Sequence, residues 1–178
     1  EGGNPRAHYQ LAVLYHNGWG VPRDHAAALR HYRQAADGGD AQGQYGVGAM
    51  HAAGLGTRAD PRTAFEWFRR AAEQGEVRAQ FNLGVMYDEG QGVARDDRAA
   101  VEWYRRAAEQ GDRAAQYNLG AMYARGEGTR RDAAQAAQWL RRAAEQGLAA
   151  AQHNLAVLYA RGEGVPRRPV IALALYDV

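Results

Sequence analysis

The sequence contains no cysteine, no serine and no lysine. These absences exclude disulfide bonds, thiolate metal sites and the serine, cysteine and lysine nucleophiles of covalent catalysis. Aliphatic hydroxyls occur only at Thr57, Thr63 and Thr129. A long apolar run is also missing, so the sequence predicts no membrane-spanning helix. Arginine supplies every basic side chain, but the net charge of +2 does not produce a strong positive field.

Carboxylates are plentiful, but their pattern does not favour acid–base catalysis. The acidic residues fall on predicted turns and outer helix faces, and no buried carboxylate pair is predicted among them. Together with the missing nucleophiles, this pattern predicts a protein that is not an enzyme.

Four of the six histidines lie near the start of the chain, namely His8, His16, His25 and His31. No two of them have the i, i+3 or i, i+4 spacing that is favoured by metal sites on helices. His31 is predicted to be a packing residue. The sequence therefore predicts neither a metal site nor a cofactor.

A glycine pair recurs five times at a spacing of 36 residues, and this period is the strongest signal in the sequence. An alanine pair and a second glycine keep the same register. A fixed period of this length is typical of repeat proteins in which each unit stacks on its neighbours. The chain, 1–178, is therefore predicted to be a single solenoid whose last repeat is incomplete or degenerate, with repeats at about 4–39, 40–75, 76–111, 112–147 and 148–178.

Each repeat is predicted to be a pair of antiparallel helices, and the third repeat shows this most clearly. Its first helix ends at Gly90, because glycine adopts the left-handed conformation of a helix cap. Asp96 is a good N-cap for the second helix, which is expected to end at Gly111. The second helix is predicted to bury Trp103. In the second repeat three glycines, Gly43, Gly46 and Gly48, predict the weakest helix of the set.

The motif A-x-Q-x-x-L-G-x-M-Y-x-x-G-x-G-V-x-x-D-x-x-A-x-x-W-Y-x-x-A-A-E-x-G recurs along the whole chain with small changes. It resembles the Sel-one-like repeat (SLR) family, which is related to the tetratricopeptide repeats. The resemblance implies an all-α fold, a right-handed superhelix of helix pairs. It also implies an adaptor that binds a protein or a peptide. As to location, the resemblance favours the bacterial envelope or periplasm over the cytoplasm.

In the tetratricopeptide relatives the first helix of each pair lines a concave groove. Carried over to this sequence, the resemblance places an aromatic column and an asparagine column in the groove. Aromatic side chains with a polar tip are good anchors for a partner, and asparagine amides can hold an extended backbone. The expected partner-binding residues are Tyr9, Tyr45, Arg78, Phe81, Asn82, Val85, Asp88, Tyr117, Asn118, His153 and Asn154, with Trp19 as a contact residue in the first glycine turn.

The same residues have a structural interpretation. The aromatic rings can pack between neighbouring repeats, and the asparagine amides can bond to the adjacent repeat. Trp19 can cover the end of the solenoid. The sequence leaves both interpretations open.

Single-stranded RNA is the alternative partner, because helical-hairpin repeats can bind one base per repeat. That function needs a basic groove. Here the groove carries Asp88 and Glu89. The paired arginines are predicted to form i, i+4 ion pairs on outer faces, such as Glu66–Arg70 and Glu102–Arg106. No nucleic-acid partner is therefore predicted.

The fifth repeat departs from the pattern in its second helix. Arg168 replaces the N-cap aspartate, and residues 170–176 are almost entirely apolar. An apolar outer face is expected to be covered by further chain, by an end-to-end contact with another subunit or by a partner, and further chain is the favoured interpretation. A self-assembling structural solenoid and a binder that neutralises a toxin are the alternatives to a general adaptor.

Overall fold

A computed structural model describes residues 4–176 of the protein. These residues form ten α-helices and no β-strand, which confirms the all-α fold built from 36-residue repeats. The helices are α1 (Pro5–Asn17), α2 (His25–Asp37), α3 (Ala41–Ala53), α4 (Pro61–Glu73), α5 (Val77–Glu89), α6 (Asp97–Glu109), α7 (Arg113–Arg125), α8 (Ala133–Glu145), α9 (Ala149–Arg161) and α10 (Pro169–Tyr176).

Aspartate side chains start the second helix of four repeats, as predicted. The carboxylate of Asp96 accepts hydrogen bonds of 3.0 Å from the backbone N–H groups of Arg98 and Ala99. These bonds satisfy donors that the first turn of a helix leaves free. The equivalent N-cap residues are Asp24, Asp60 and Asp132.

The two glycines of each pair have different structural roles. The first, such as Gly90 with φ 70°, ends the first helix in the left-handed conformation. The second, such as Gly92, lies against the first residue of the preceding repeat's second helix, where a Cβ would overlap the Pro61 carbonyl. The same contact joins Gly56 to His25, Gly128 to Asp97 and Gly164 to Ala133. In the third repeat the second helix is capped at Gln110, and Gly111 follows one residue later.

The described chain divides into two compact units, residues 4–95 and 96–176. Within the first unit, helices α1 to α5 pack in chain order, and α1 also touches α3. Within the second unit, helices α6 to α10 pack in chain order. Each unit has a core of alanines with a few large side chains between the helices, including Val47 and Met50 in the first and Leu140 and Leu155 in the second.

The three glycines of α3 lie in a complete helix; Gly43 allows close approach to Ala35, and the other two make room for aromatic rings. A Cβ on Gly46 would fall on the ring of Tyr32, and one on Gly48 would lie 2.7 Å from the ring of Phe68. All three glycines are buried. Glycine lowers the helix propensity of α3, and the close packing of neighbouring helices at these positions offsets this cost.

The prediction for the outer faces of the second helices is wrong in two respects. Trp103 is half-buried and not fully buried, and the Arg106 guanidinium lies over its ring, 4.6 Å from the centroid. Glu102 consequently pairs with Arg105, at 2.9 Å and i, i+3 spacing, and the expected i, i+4 pair with Arg106 does not form. Arg70 likewise stacks on Trp67 while Glu66 pairs with Arg69. Stacking on tryptophan competes successfully with an exposed ion pair, which contributes little in water.

Candidate functional site

A cavity of about 440 Å³ opens between the first helices of the first unit. Its floor is apolar and includes Val13, Ala49 and Met50. Its walls include the rings of Tyr9 and Tyr45, with Arg78 beside them. We call this cavity the tyrosine pocket. Its lining comes mainly from α1, α3 and α5, so it lies on the surface that the resemblance assigns to the groove.

The two tyrosines pack on the second helix of their own repeat and also face the pocket. Tyr9 lies 6.0 Å from Tyr32, and Tyr45 lies 5.5 Å from Phe68, between ring centroids. Both tyrosines remain half-buried. They therefore contribute to packing within their own repeat, and both also line the cavity.

Arg78 is fixed at the edge of the pocket by three contacts. Its Cζ lies 4.2 Å from the ring centroid of Tyr45, and its Nε donates to Glu76 at 2.7 Å. Partial burial lowers its pKa, but the Glu76 hydrogen bond and charge and a hydrogen bond with Tyr9 outweigh this and raise the pKa of Arg78. Arg78 is therefore a permanent cation that connects the first three repeats.

Arg6 provides a second guanidinium beside the same pocket. It lies 5.7 Å from the Tyr9 ring centroid and donates to the side-chain oxygen of Gln42 at 2.8 Å. Two cations thus lie over two tyrosine rings, an arrangement that cation–π attraction favours.

Tyr32 is a pocket residue that the sequence prediction missed. It belongs to the second helix α2, whereas the resemblance assigns the groove to first helices. Burial, followed by the influence of Tyr9, raises the pKa of Tyr32 to about 12. Its hydroxyl therefore stays protonated. The sequence feature that could have indicated this role of Tyr32 is Gly46. This glycine occupies the position where later repeats carry asparagine, and it leaves room for the ring of Tyr32.

A second cavity of the first unit, of about 250 Å³, contains two predicted residues. Asn82 and Val85 line it together with Ala49, Phe68 and other residues of α3 to α5. We call it the Asn82 cavity. The remaining predicted residues of this unit lie outside the linings just described: Phe81 and Asp88 are half-buried on α5, and Trp19 is 62% exposed in the turn after α1.

The second unit has a cavity of about 280 Å³ that includes Asn154 and Val157. The Asn154 amide donates to the Tyr117 hydroxyl at 3.5 Å, so this asparagine bonds to the adjacent repeat. Asn118 is half-buried on α7, and His153 is exposed on α9. The arginines beside the cavity are paired with carboxylates: Arg125 with Glu127, and Arg131 and Arg161 with Glu163.

The four histidines of the first repeat form two pairs across α1 and α2. His8 and His31 stack with ring centroids 5.5 Å apart and Nδ1 atoms 3.3 Å apart. His16 and His25 lie 5.3 Å apart, and burial, His25 and Arg23 lower the pKa of His16. Spacing along one helix could not indicate pairs that form between helices. In the described part of the chain no group of three or more candidate ligands surrounds a metal position.

Comparison with known proteins places this geometry in a family. The Sel1 repeat family model matches residues 5–40, 41–76, 77–112, 113–148 and 149–177. The chain is similar to a protective antigen of uropathogenic Escherichia coli strains that displays an SLR fold. The two share 42% identity with a TM-score of 0.94, and the match covers 97% of this chain but 37% of the antigen.

Two further solved structures are similar to this chain. A Sel1 repeat protein from Oxalobacter formigenes is 36% identical, with a TM-score of 0.92, and the match covers 98% of this chain and 72% of that one. The immunity protein Pa5087 from Pseudomonas aeruginosa is 26% identical, with a TM-score of 0.58, over 98% of this chain and 68% of that one. No curated protein sequence matches the chain.

Sel1 repeats form a scaffold that is generally non-enzymatic and that mediates protein–protein interaction. No helix among residues 4–176 has both the length and the apolar character needed to cross a bilayer. With a match in every repeat and two relatives above 30% identity, the chain belongs to the Sel1 repeat family.

Proposed function

We propose that the chain is a non-catalytic scaffold that binds a protein or an extended peptide on the surface of its first helices. In the first unit the tyrosine pocket and the Asn82 cavity are the anchoring points. The observation that carries the proposal is that both cavities are lined largely by first-helix residues, and that Ala49 borders both.

The chemistry of the pocket suits such a partner. Its apolar floor can take an aliphatic side chain, while tyrosine hydroxyls and Arg78 can orient polar groups. Binding sites combine these two features, and buried aromatic and arginine anchors supply most of the binding energy at interfaces. The tyrosines are already held by Tyr32 and Phe68, so little rotamer entropy is lost on binding.

Filling the pocket tests this function without removing a packing contact. Peptides would be selected against the immobilised chain from a randomised phage-displayed library, and binding of the synthetic consensus would be measured by fluorescence anisotropy. We expect Ala49→Trp to weaken binding about tenfold or more, the loss typical of a blocked anchor site. Glu66→Trp adds the same ring to an exposed second-helix position and is expected to leave binding unchanged. Equal effects of the two variants, with circular dichroism showing both folded, would exclude the first-helix surface.

The helix α10 supports a second proposal, end-to-end contact with a second copy of this chain. Leu173 is 63% exposed, whereas the residues at the same position in the second to fourth repeats, Phe65, Val101 and Ala137, are buried. In the second repeat the ring of Phe65 packs against Tyr87 of the next first helix, 5.3 Å between centroids. The face of α10 therefore fits the first helix of another repeat.

The complementary face is α1. Leu11 is 40% exposed, whereas Val47, Leu83 and Leu119 at the same position in later repeats are fully buried. Joining α1 of one copy to α10 of another repeats the contact found inside each unit and produces a head-to-tail assembly. Sedimentation should show concentration-dependent growth that Leu11→Glu and Leu173→Glu both abolish, while Arg30→Glu, which introduces the residue found at this position in the next repeat, has no effect. A monomer at all concentrations would refute this contact.

A further inference from the structure

The charges around the tyrosine pocket are not balanced. The described contacts of the Arg6 guanidinium are the amide oxygen of Gln42 and the ring of Tyr9, and neither carries a negative charge. Arg78 has one carboxylate partner, Glu76, whose side chain is 13% exposed. Among the described residues, two cations and one largely covered carboxylate leave an excess of one positive charge at the pocket.

The lining of the pocket adds hydrogen-bond donors and no negative charge. Of the described residues that line it, none is acidic. Tyr32 stays protonated because its pKa lies at about 12. Tyrosine hydroxyls and amide N–H groups can all donate to an oxygen anion. The electrostatics of the pocket therefore suit a negatively charged group.

Arg78 can still reach such a group. Its bond to Glu76 uses Nε and its bond to Tyr9 uses one further donor, so N–H groups of the guanidinium remain, and half of the side chain is exposed to solvent. The terminal amino groups of a guanidinium are the part that binds a carboxylate through parallel hydrogen bonds. The ring of Tyr45 beneath Arg78 holds the guanidinium at the pocket edge, so its position is set before a partner arrives.

The basic side chains beside the cavity of the second unit are arranged differently. Arg125, Arg131 and Arg161 each have a carboxylate partner from Glu127 or Glu163. Arg131 and Arg161 share one carboxylate, so an excess of one positive charge remains here as well, but Glu163 itself lines this cavity and no tyrosine is among the described lining residues. The difference makes Arg125 a matched control for Arg78.

We propose that the tyrosine pocket binds an acidic side chain, Asp or Glu, of the bound peptide segment. The carboxylate lies between Arg78 and the tyrosine hydroxyls, and a neighbouring aliphatic side chain of the same segment lies on the floor formed by Val13, Ala49 and Met50. This inference rests on the proposed peptide-binding function and specifies which peptides bind. An excess of one charge matches a single carboxylate better than a phosphate dianion.

The test compares peptide selections from the same randomised phage library on the wild-type chain, Arg78→Gln and Arg125→Gln. Wild type and Arg125→Gln are expected to enrich peptides with an acidic residue beside an aliphatic one. Arg78→Gln is expected to lose the acidic preference and keep the aliphatic one. Synthetic peptides then give the affinity: changing the acidic residue to its amide should weaken binding to wild type about tenfold, equal to about 1.4 kcal/mol, and should have little effect with Arg78→Gln.

The outcomes separate this inference from the function on which it rests. If wild type enriches no peptide, the scaffold function and this inference both fail. If wild type enriches peptides with no acidic preference, or if the amide peptide binds as tightly, the function stands and the acidic subsite is refuted. If the preference persists in Arg78→Gln, Arg78 does not bind the carboxylate. The amide peptide needs no variant protein, so the test holds even if Arg78→Gln is poorly folded.

Discussion

His51 occupies a position where the next three repeats carry tyrosine, and replacing it gives a sharp test of the repeat geometry. The side chain is 9% exposed, and neither ring nitrogen has a hydrogen-bond partner among the described residues. At two of these three positions the tyrosine hydroxyl accepts a hydrogen bond from an arginine 18 residues earlier: Arg105 to Tyr123 at 3.1 Å and Arg141 to Tyr159 at 2.8 Å.

The variant His51→Tyr is expected to be more stable than wild type. Arg33 precedes position 51 by the same 18 residues and would gain the acceptor that Arg105 and Arg141 have. The change also removes two unsatisfied buried nitrogens. A buried polar group without a partner costs about 1–3 kcal/mol, and the larger ring must be accommodated, so we expect a net gain of about 1–2 kcal/mol at pH 7.5.

The stability gain of His51→Tyr over wild type should be larger at acidic pH. Burial, followed by the charge of Arg33, lowers the pKa of His51, although Asp60 opposes this shift. When the pH falls below about 6.5, the unfolded chain binds the proton before the folded chain does, so wild type loses stability between the ordinary pKa and the lowered one. Each unit of that shift corresponds to about 1.4 kcal/mol. Part of the dependence of stability on pH should remain in the variant, because the pKa of His16 is also lowered.

Urea unfolding followed by circular dichroism at pH 7.5 and pH 5.5 measures both effects. His51→Phe is the control, because it removes the titrating group without providing an acceptor for Arg33. It should lose the pH dependence due to His51 and gain less stability than His51→Tyr. An equal change in the free energy of unfolding between pH 7.5 and pH 5.5 for wild type and His51→Tyr would show that His51 does not cause the pH dependence. A His51→Tyr variant less stable than wild type at pH 7.5 would show that the arginine–tyrosine contact does not extend to the second repeat.

Three further variants test local packing by the same urea unfolding. Gly46→Ala should destabilise the chain by about 1–3 kcal/mol because its Cβ would fall on the ring of Tyr32; an increase in stability, as helix propensity alone predicts, would contradict this packing. Asp96→Ala should cost about 1 kcal/mol through loss of the N-cap bonds, and an unchanged midpoint would mean that this cap is not needed. Gln80→Leu should cost about 1 kcal/mol because the buried amide donates to the Ala72 carbonyl at 3.2 Å, and a neutral result would assign the position to apolar packing.

The sequence predicts the helices well because their limits depend on local chemistry. Gly90 needs a left-handed conformation, and Asp96 caps the helix that starts one residue later. These preferences act within a few residues, and repetition every 36 residues confirms each of them several times.

The sequence predicts side-chain partners less well, because partners depend on how helices cross. The histidine pair His8–His31 joins residues 23 positions apart, and Tyr32 reaches the pocket from a second helix. Arg106 has two potential partners on its own helix, Glu102 and Trp103. Their spacing in the sequence does not determine that the guanidinium stacks on Trp103. For the candidate site, the sequence therefore predicts the surface but not its details.

The joint between repeats at the second glycine has a consequence for how such chains change. Because Gly92 meets backbone atoms of Pro61, the fit depends on the absence of a side chain and not on a matching pair of side chains. The first residue of the second helix varies accordingly, from His25 through Pro61 and Asp97 to Ala133, with the same glycine against each. This joint therefore needs no compensating substitution when a module is duplicated, deleted or exchanged, whereas contacts such as that of Gly46 with Tyr32 do depend on the side chain of the neighbouring repeat. Binding surfaces of different length and chemistry can arise by recombination of one 36-residue segment.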